Sequence, residues 1–270
     1  MFFKKSFVVI MLLASQVGFV SAAEKIILDG SSGMLPLASA LAKVYQEKSR
    51  DLELELGKGL GTGARLRALG EGKIQIALAS HGIEPAEIQQ GNLKVIQIAK
   101  GGIVFAVNGA AMSSITEEQI CGVFSGKITD WQALGASQAA IVVMTRPATE
   151  VDSEVIREKI GCFKNLKVTE HAQVMDRGGD MAKGLSATAN AIGMTSMTVV
   201  EQSKGKVKAL ALNGVAPSAE NVKSGRYFLR RDFYFVVKGE PTPSVRKFLD
   251  FVLSPEGDRV IAANGAIPTR

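Results

Sequence analysis

The chain has 270 residues, 46% of them hydrophobic and 21% charged, with a formal net charge of +6, the proportions of a globular protein of one large or two medium domains. Its lysines and arginines are scattered rather than gathered into a basic block with interleaved aromatics, which argues against a nucleic-acid partner. With two histidines, no Ser-His-Asp pattern and no metal-ligand spacing, the sequence supports neither an enzyme nor a bound metal or cofactor.

The first 22 residues stand apart. Lys4 and Lys5 precede the apolar run Phe7 to Leu13, and small residues at Val20-Ser21-Ala22-Ala23 offer a cleavage point, the layout of a secretory signal peptide over 1–22. The apolar core is too short to span a bilayer, and no cysteine near the cleavage point offers a lipid anchor. The expected mature protein is exported, soluble and periplasmic. Losing two lysines and no acids, its charge falls from +6 to +4.

Ile26-Ile27-Leu28 reads as a buried strand. It runs through Asp29-Gly30-Ser31-Ser32-Gly33 into a helix whose apolar face is Met34, Leu37, Leu41, Ala42 and Tyr45, with Pro36 fixing the first turn. A strand, a Gly/Ser turn and a helix start together present backbone amides and hydroxyls at the positive end of a helix dipole, where an oxyanion is the natural guest. The plainer alternative is that Ser31 or Ser32 caps the helix. The design recurs: Leu52 to Leu56 alternates as a strand, Gly57 to Gly63 is glycine-rich, and a helix is expected from about Ala64 to Glu71. A third strand, Ile74 to Ala79, ends in Ser80-His81-Gly82, and a fourth covers Leu93 to Ala99. This alternation predicts a mostly parallel sheet, with the turns at 29–33, 57–63 and 80–82 on one rim.

Gly101 to Asn108 reads as a separate strand leaving the first lobe. Thr116-Glu117-Glu118-Gln119 is a capping box for a helix through Phe124. Ile128-Thr129-Asp130-Trp131 carries the single tryptophan, and a strand over Ile141 to Met144 leads into Arg146-Pro147. Helices are expected near Ser153 to Ile160 and Met181 to Ala187, with a short buried strand at Ala191 to Met194. Arg226 to Asp232 brings the chain into a final strand, Phe233 to Lys238. Two helices follow, Ser244 to Leu253 and Pro255 to Asn264, the latter capped by Ser254. In an oxidising compartment Cys121 and Cys162 are expected to form a disulfide; the alternative, a cysteine nucleophile served by His81 or His171, has no local sequence behind it.

Several stretches together resemble the phosphate-type periplasmic substrate-binding proteins of bacterial ABC transporters. They are Gly30-Ser31-Ser32 with Met34 and Pro36-Leu37; Gly59 with Gly61-Thr62-Gly63; Ile128 to Trp131; Ala191 to Met194; Phe248 to Gly257; and Gly265 to Pro268. The resemblance implies an α/β fold of two lobes joined by two crossing strands, with lobe one at 23–105 and 229–270 and lobe two inserted at 106–228. Hinges would fall near Phe105–Asn108 and Arg226–Asp232. It also implies capture of phosphate or a related small oxyanion for delivery to a membrane permease, by a monomer. The implied ligand-binding residues are Ser31, Ser32, Gly33, Met34, Gly61, Thr62, Ser80, Arg146 and Asp152.

The departures bear on the ligand. Such proteins typically carry Ser-Gly-Ser-Gly-Thr after the lobe-two arginine, whereas this chain reads Arg146-Pro147-Ala148-Thr149-Glu150-Val151-Asp152-Ser153. Glu150 and Asp152 stand where hydroxyls are expected, and each would repel a fully ionised phosphate. Pro147 removes one backbone donor, Leu60 replaces a serine, and Ser80-His81 replaces Ser-Arg. The second expectation is therefore a binding-fold protein without transport duty, acting as a sensor or protein-interaction module.

Overall fold

The computed structural model describes residues 24–49 and 52–270; the expected signal peptide lies outside the described residues. The first part alternates β1 (Glu24–Gly30), α1 (Leu35–Lys48), β2 (Leu52–Leu56), α2 (Thr62–Gly70), β3 (Ile76–Ala79), α3 (Pro85–Gly91) and the long β4 (Leu93–Val107). The middle holds β5 (Ser114–Ile115), α4 (Glu117–Phe124), β6 (Val142–Thr145), α5 (Val151–Lys159), β7 (Gln173–Val174), α6 (Gly178–Ala187), β8 (Ala191–Ser196), α7 (Met197–Gln202), β9 (Lys208–Ala209), β10 (Ala211–Leu212) and α8 (Ala219–Ser224). The chain closes with β11 (Arg230–Lys238), α9 (Pro243–Val252), α10 (Pro255–Ala263) and β12 (Ala266–Pro268).

The main sheet runs β2-β1-β3-β11-β4-β8-β6-β7, with β12 and β9 also paired to β4. The three outer strands β2, β1 and β3 are parallel, as the alternation predicts. β11 then enters antiparallel between β3 and β4, so the sheet as a whole is mixed. β6 is parallel to both β7 and β8.

β4 corrects one expectation. The sequence suggests separate strands over Leu93 to Ala99 and Gly101 to Asn108, but the strand is continuous. Its first part pairs with β11 up to Gly102, and Ile103 to Val107 then pair with β8. The glycines serve close packing rather than a turn: a β-carbon on Gly101 would lie 2.7 Å from the Phe233 ring.

Among the described residues, two large hydrophobic clusters and a smaller one form the interior. One gathers Ile26, Leu28, Leu41, Ile76, Ile98, Phe233, Phe235 and Phe248; the other gathers Ile103 to Val107, Phe124, Trp131, Phe163, Ile192 and Tyr227. β4 passes from the first to the second between Ala99 and Ile103, and the chain returns between Leu229 and Phe233. Tyr227 donates its hydroxyl to the Ile103 carbonyl at 2.9 Å, pinning the return to the outgoing strand.

Local signals hold where they are purely local. Thr116 and Gln119 form the expected reciprocal capping box on α4, and Ser254 accepts from the amides of Glu256 and Gly257 at the start of α10. Cys121 on α4 and Cys162 in the turn after α5 form a disulfide with Cα atoms 6.3 Å apart. No helix among the described residues is long and apolar enough to cross a membrane.

Candidate functional site

The site begins where β1 ends. Gly30 has φ of +146°, and a β-carbon there would stand 2.3 Å from the Leu78 carbonyl oxygen, so the turn out of β1 admits glycine alone. Beside it the buried Asp29 carboxylate accepts three backbone amides with Oδ1: Gly30 at 2.7 Å, Gly59 at 2.9 Å and Leu60 at 3.1 Å. Two glycine loops distant in sequence are thereby joined through one oxygen. Gly57 belongs to the same arrangement, since any side chain there would overlap the Asp29 carboxylate. Ser31 hydrogen-bonds Ser80 through the two hydroxyls at 2.5 Å, which ties in the third turn of the predicted rim.

The facing wall comes from the second core. β6 delivers Arg146, which is 5% exposed. Its Nη1 donates to the Met175 carbonyl at 2.6 Å, and Nη2 donates to Ser32 Oγ at 3.2 Å and to Glu150 Oε2 at 2.5 Å. Ser153 Oγ donates to the Arg146 carbonyl at 3.1 Å, holding the strand end against α5. Ser32 Oγ also accepts the Gly178 amide at 3.2 Å, so one hydroxyl from the first wall is gripped twice by the second. Gly178 is close-packed: a β-carbon would lie 2.9 Å from the Ser32 carbonyl oxygen.

Between the walls lies a cavity of about 340 Å³. Ser31, Ser32, Gly59, Leu60, Gly61 and Arg65 line one side, and Thr149, Glu150, Val151, Asp176 and Arg177 the other. These segments are the entrances to four helices. α1 follows Ser31-Ser32, α2 follows Gly61, α5 follows Glu150 and α6 follows Arg177. None of the four carries a side-chain hydrogen bond at its N-cap. Of the other helices, α3 also lacks one, whereas α4, α7, α8, α9 and α10 are capped by Thr116, Ser196, Ser218, Thr242 and Ser254. The first amides of a helix need an acceptor and carry the positive end of its dipole. Four such ends around one cavity give it the field that suits an anion.

Arg65 adds a fixed charge. Burial pushes its guanidinium down to about 10, against the opposing field of Glu87, and it stays protonated at neutral pH. Its Nη2 lies 3.4 Å from His81 Nε2. His81 Nδ1 is 2.7 Å from the Gly82 carbonyl, which can only accept, so Nδ1 carries the proton and Nε2 faces Arg65 as an acceptor. Among the described residues no group of His, Cys, Asp and Glu could hold a metal ion.

The expected ligand residues divide. Ser31, Ser32 and Gly61 line the cavity. Ser80 and Arg146 stand one bond behind it, through Ser31 and through Ser32 and Glu150. Thr62 opens α2, but its side chain lies outside the described residues. Met34 is the N-cap of α1 with its side chain wholly in the core, so neither Ser31 nor Ser32 caps that helix. Gly33 is occupied from behind: its carbonyl accepts from Arg231 Nη2 at 3.2 Å, and a β-carbon would meet Nη1 at 2.6 Å. Asp152 is turned away from the cavity and forms a buried ion pair with Arg231 Nη1 at 2.5 Å, so its charge is neutralised internally. Sequence reasoning missed Asp29, Arg65, Asp176, Arg177 and Arg231 as parts of the site. The one available signal was Asp29 itself, an acid ending an apolar strand before glycine.

A PBP superfamily domain matches residues 20–256. The phosphate-binding protein PstS of Bacillus subtilis is 30% identical over 256 residues, spanning 93% of this chain and 83% of that protein. The phosphate-binding protein PstS of Borreliella burgdorferi is 25% identical over 200 residues, 71% of each chain. Among solved structures, a chain from Clostridium perfringens assigned as a phosphate ABC transporter substrate-binding protein, with bound phosphate, superposes with a TM-score of 0.76 at 31% identity; the match covers 92% of this chain and all of that one. By the extent of the domain match and of the relatives' coverage, the chain belongs to the PBP superfamily and, within it, to the phosphate-type substrate-binding proteins of ABC transporters.

Proposed function

We propose that the protein captures phosphate, or a small oxyanion of the same class, in the cavity between its two cores and passes it to the permease of an ABC transporter. The observation that carries this reading is the convergence of four helix N-termini lacking side-chain caps, with Ser31, Ser32 and Gly61 among them. The relatives named for phosphate support the choice of guest. Enclosure strengthens each amide–anion bond, since the local dielectric falls when water is excluded.

The protein acts by binding, without catalysis, as a monomer in the periplasm. Lobe one spans 23–105 and 229–270 and lobe two 106–228. The separate cores support a two-lobe division, but they place Ile103 to Phe105 and Leu229 with the second core, so that the outgoing crossing falls at Gly101-Gly102, where β4 changes partners. Titration of the mature protein with phosphate and sulfate, followed by thermal unfolding and calorimetry, tests the reading. A guest at 100 times its dissociation constant stabilises the fold by about 2.7 kcal/mol. Absence of stabilisation by any small oxyanion overturns it.

A further inference from the structure

Glu150 already does to Arg146 what a bound oxyanion would do. Its Oε2 sits 2.5 Å from Nη2, across the turn that opens α5. Arg146 keeps only 2% of its side chain exposed and Glu150 keeps 33%. Of the two, Glu150 is the one that lines the cavity. The other Nη2 donation goes to Ser32 Oγ, and Nη1 is held by the Met175 carbonyl. An incoming oxygen therefore meets a carboxylate first, and Arg146 Nη2 has both protons committed.

The surrounding charges do not relieve this. Arg65 and Arg177 line the cavity with Glu150 and Asp176, two cations against two carboxylates. His81 stands behind Arg65. Asp152, two residues beyond Glu150, is compensated by Arg231. Positive potential thus comes from the helix ends, Arg65 and Arg177, while Arg146 is paired with a tethered anion.

We infer that Glu150 is a specificity-determining residue, a tethered competitor that an oxyanion must displace before it can reach Arg146. The inference rests on the oxyanion reading above. It makes the cavity select against high anionic charge.

The test compares the mature protein with E150Q, which keeps the shape and loses the charge, by calorimetric titration with sulfate and with phosphate at neutral pH. E150Q is expected to bind sulfate roughly tenfold or more tightly than the native protein. Equal or weaker binding by E150Q overturns the inference while leaving the oxyanion reading intact. If neither protein binds either anion, the oxyanion reading falls with it. If circular dichroism shows E150Q unfolded, E150S is titrated in its place, and equal or weaker binding by it overturns the inference.

Discussion

The two walls of the cavity solve one problem by different means. The wall from β1 and the glycine loop is built of backbone: Asp29 spends its carboxylate on three amides, and Gly30 and Gly57 leave no room for side chains. The wall from β6, α5 and α6 is built of charged side chains that have found partners within the protein, Arg146 with Glu150 and Asp152 with Arg231. Recognition by backbone is hard to alter without unfolding the loop. Recognition by ion pairs is readily retuned, and that wall is where this chain departs from the expected hydroxyl-rich loop.

The largest effect should come from the buried pair. Arg231→Ala leaves Asp152 charged and unpaired in the interior and should cost about 3–5 kcal/mol in chemical denaturation. A loss below ~1 kcal/mol would mean that Asp152 is solvated and the wall looser than described.

Asp29→Ala removes the acceptor shared by three amides and should cost about 3 kcal/mol. Anion binding should disappear with it, because Gly59 and Leu60 lose their anchor to β1. Retention of full affinity would refute the idea that this wall recognises through positioned backbone.

Reducing the Cys121–Cys162 disulfide, which closes a sequence separation of 41, should lower stability by about 2–4 kcal/mol. The cross-link belongs to the second core, so hydrogen exchange should loosen there before the Asp29 loop does. Loosening of both walls together would argue that the cores unfold as one unit.

Tyr227→Phe deletes one buried hydrogen bond to Ile103 and should cost only about 1 kcal/mol, read from the shift in denaturation midpoint. Burial holds the Tyr227 hydroxyl well above the ordinary phenol range, so its stability contribution should not vary between acid and neutral pH.

Much of this architecture could be read along the chain. The Thr116–Gln119 box, the Ser254 cap, the glycine loops and the alternation up to β4 depend on neighbours a few residues apart, and periodicity reports them. Glycines mislead when their reason is tertiary. Gly101-Gly102 looks like a break, yet Gly101 accommodates Phe233, which is 132 positions later. The site was legible to the same limit. Ser31 and Ser32 announce themselves, but nothing local says that Asp152 will meet Arg231, 79 residues away, or that Asp176 and Arg177 will arrive at the same cavity. Glu150 could be recognised as out of place, though its covering of Arg146 required coordinates.

The position of β11 has a consequence for how the molecule is assembled. Its partners β3 and β4 are complete by residue 107, whereas β11 begins at residue 230 and is inserted between them. Until it arrives, a nascent chain carries two strands with facing edges unpaired, the condition that invites pairing with other chains. The second core, drawn from the continuous stretch 103–229, needs no such late arrival and can collapse while the first waits. Long-range closure of the first core around β11 is therefore the slow, aggregation-exposed step, and the last forty residues of the chain decide whether the cavity forms.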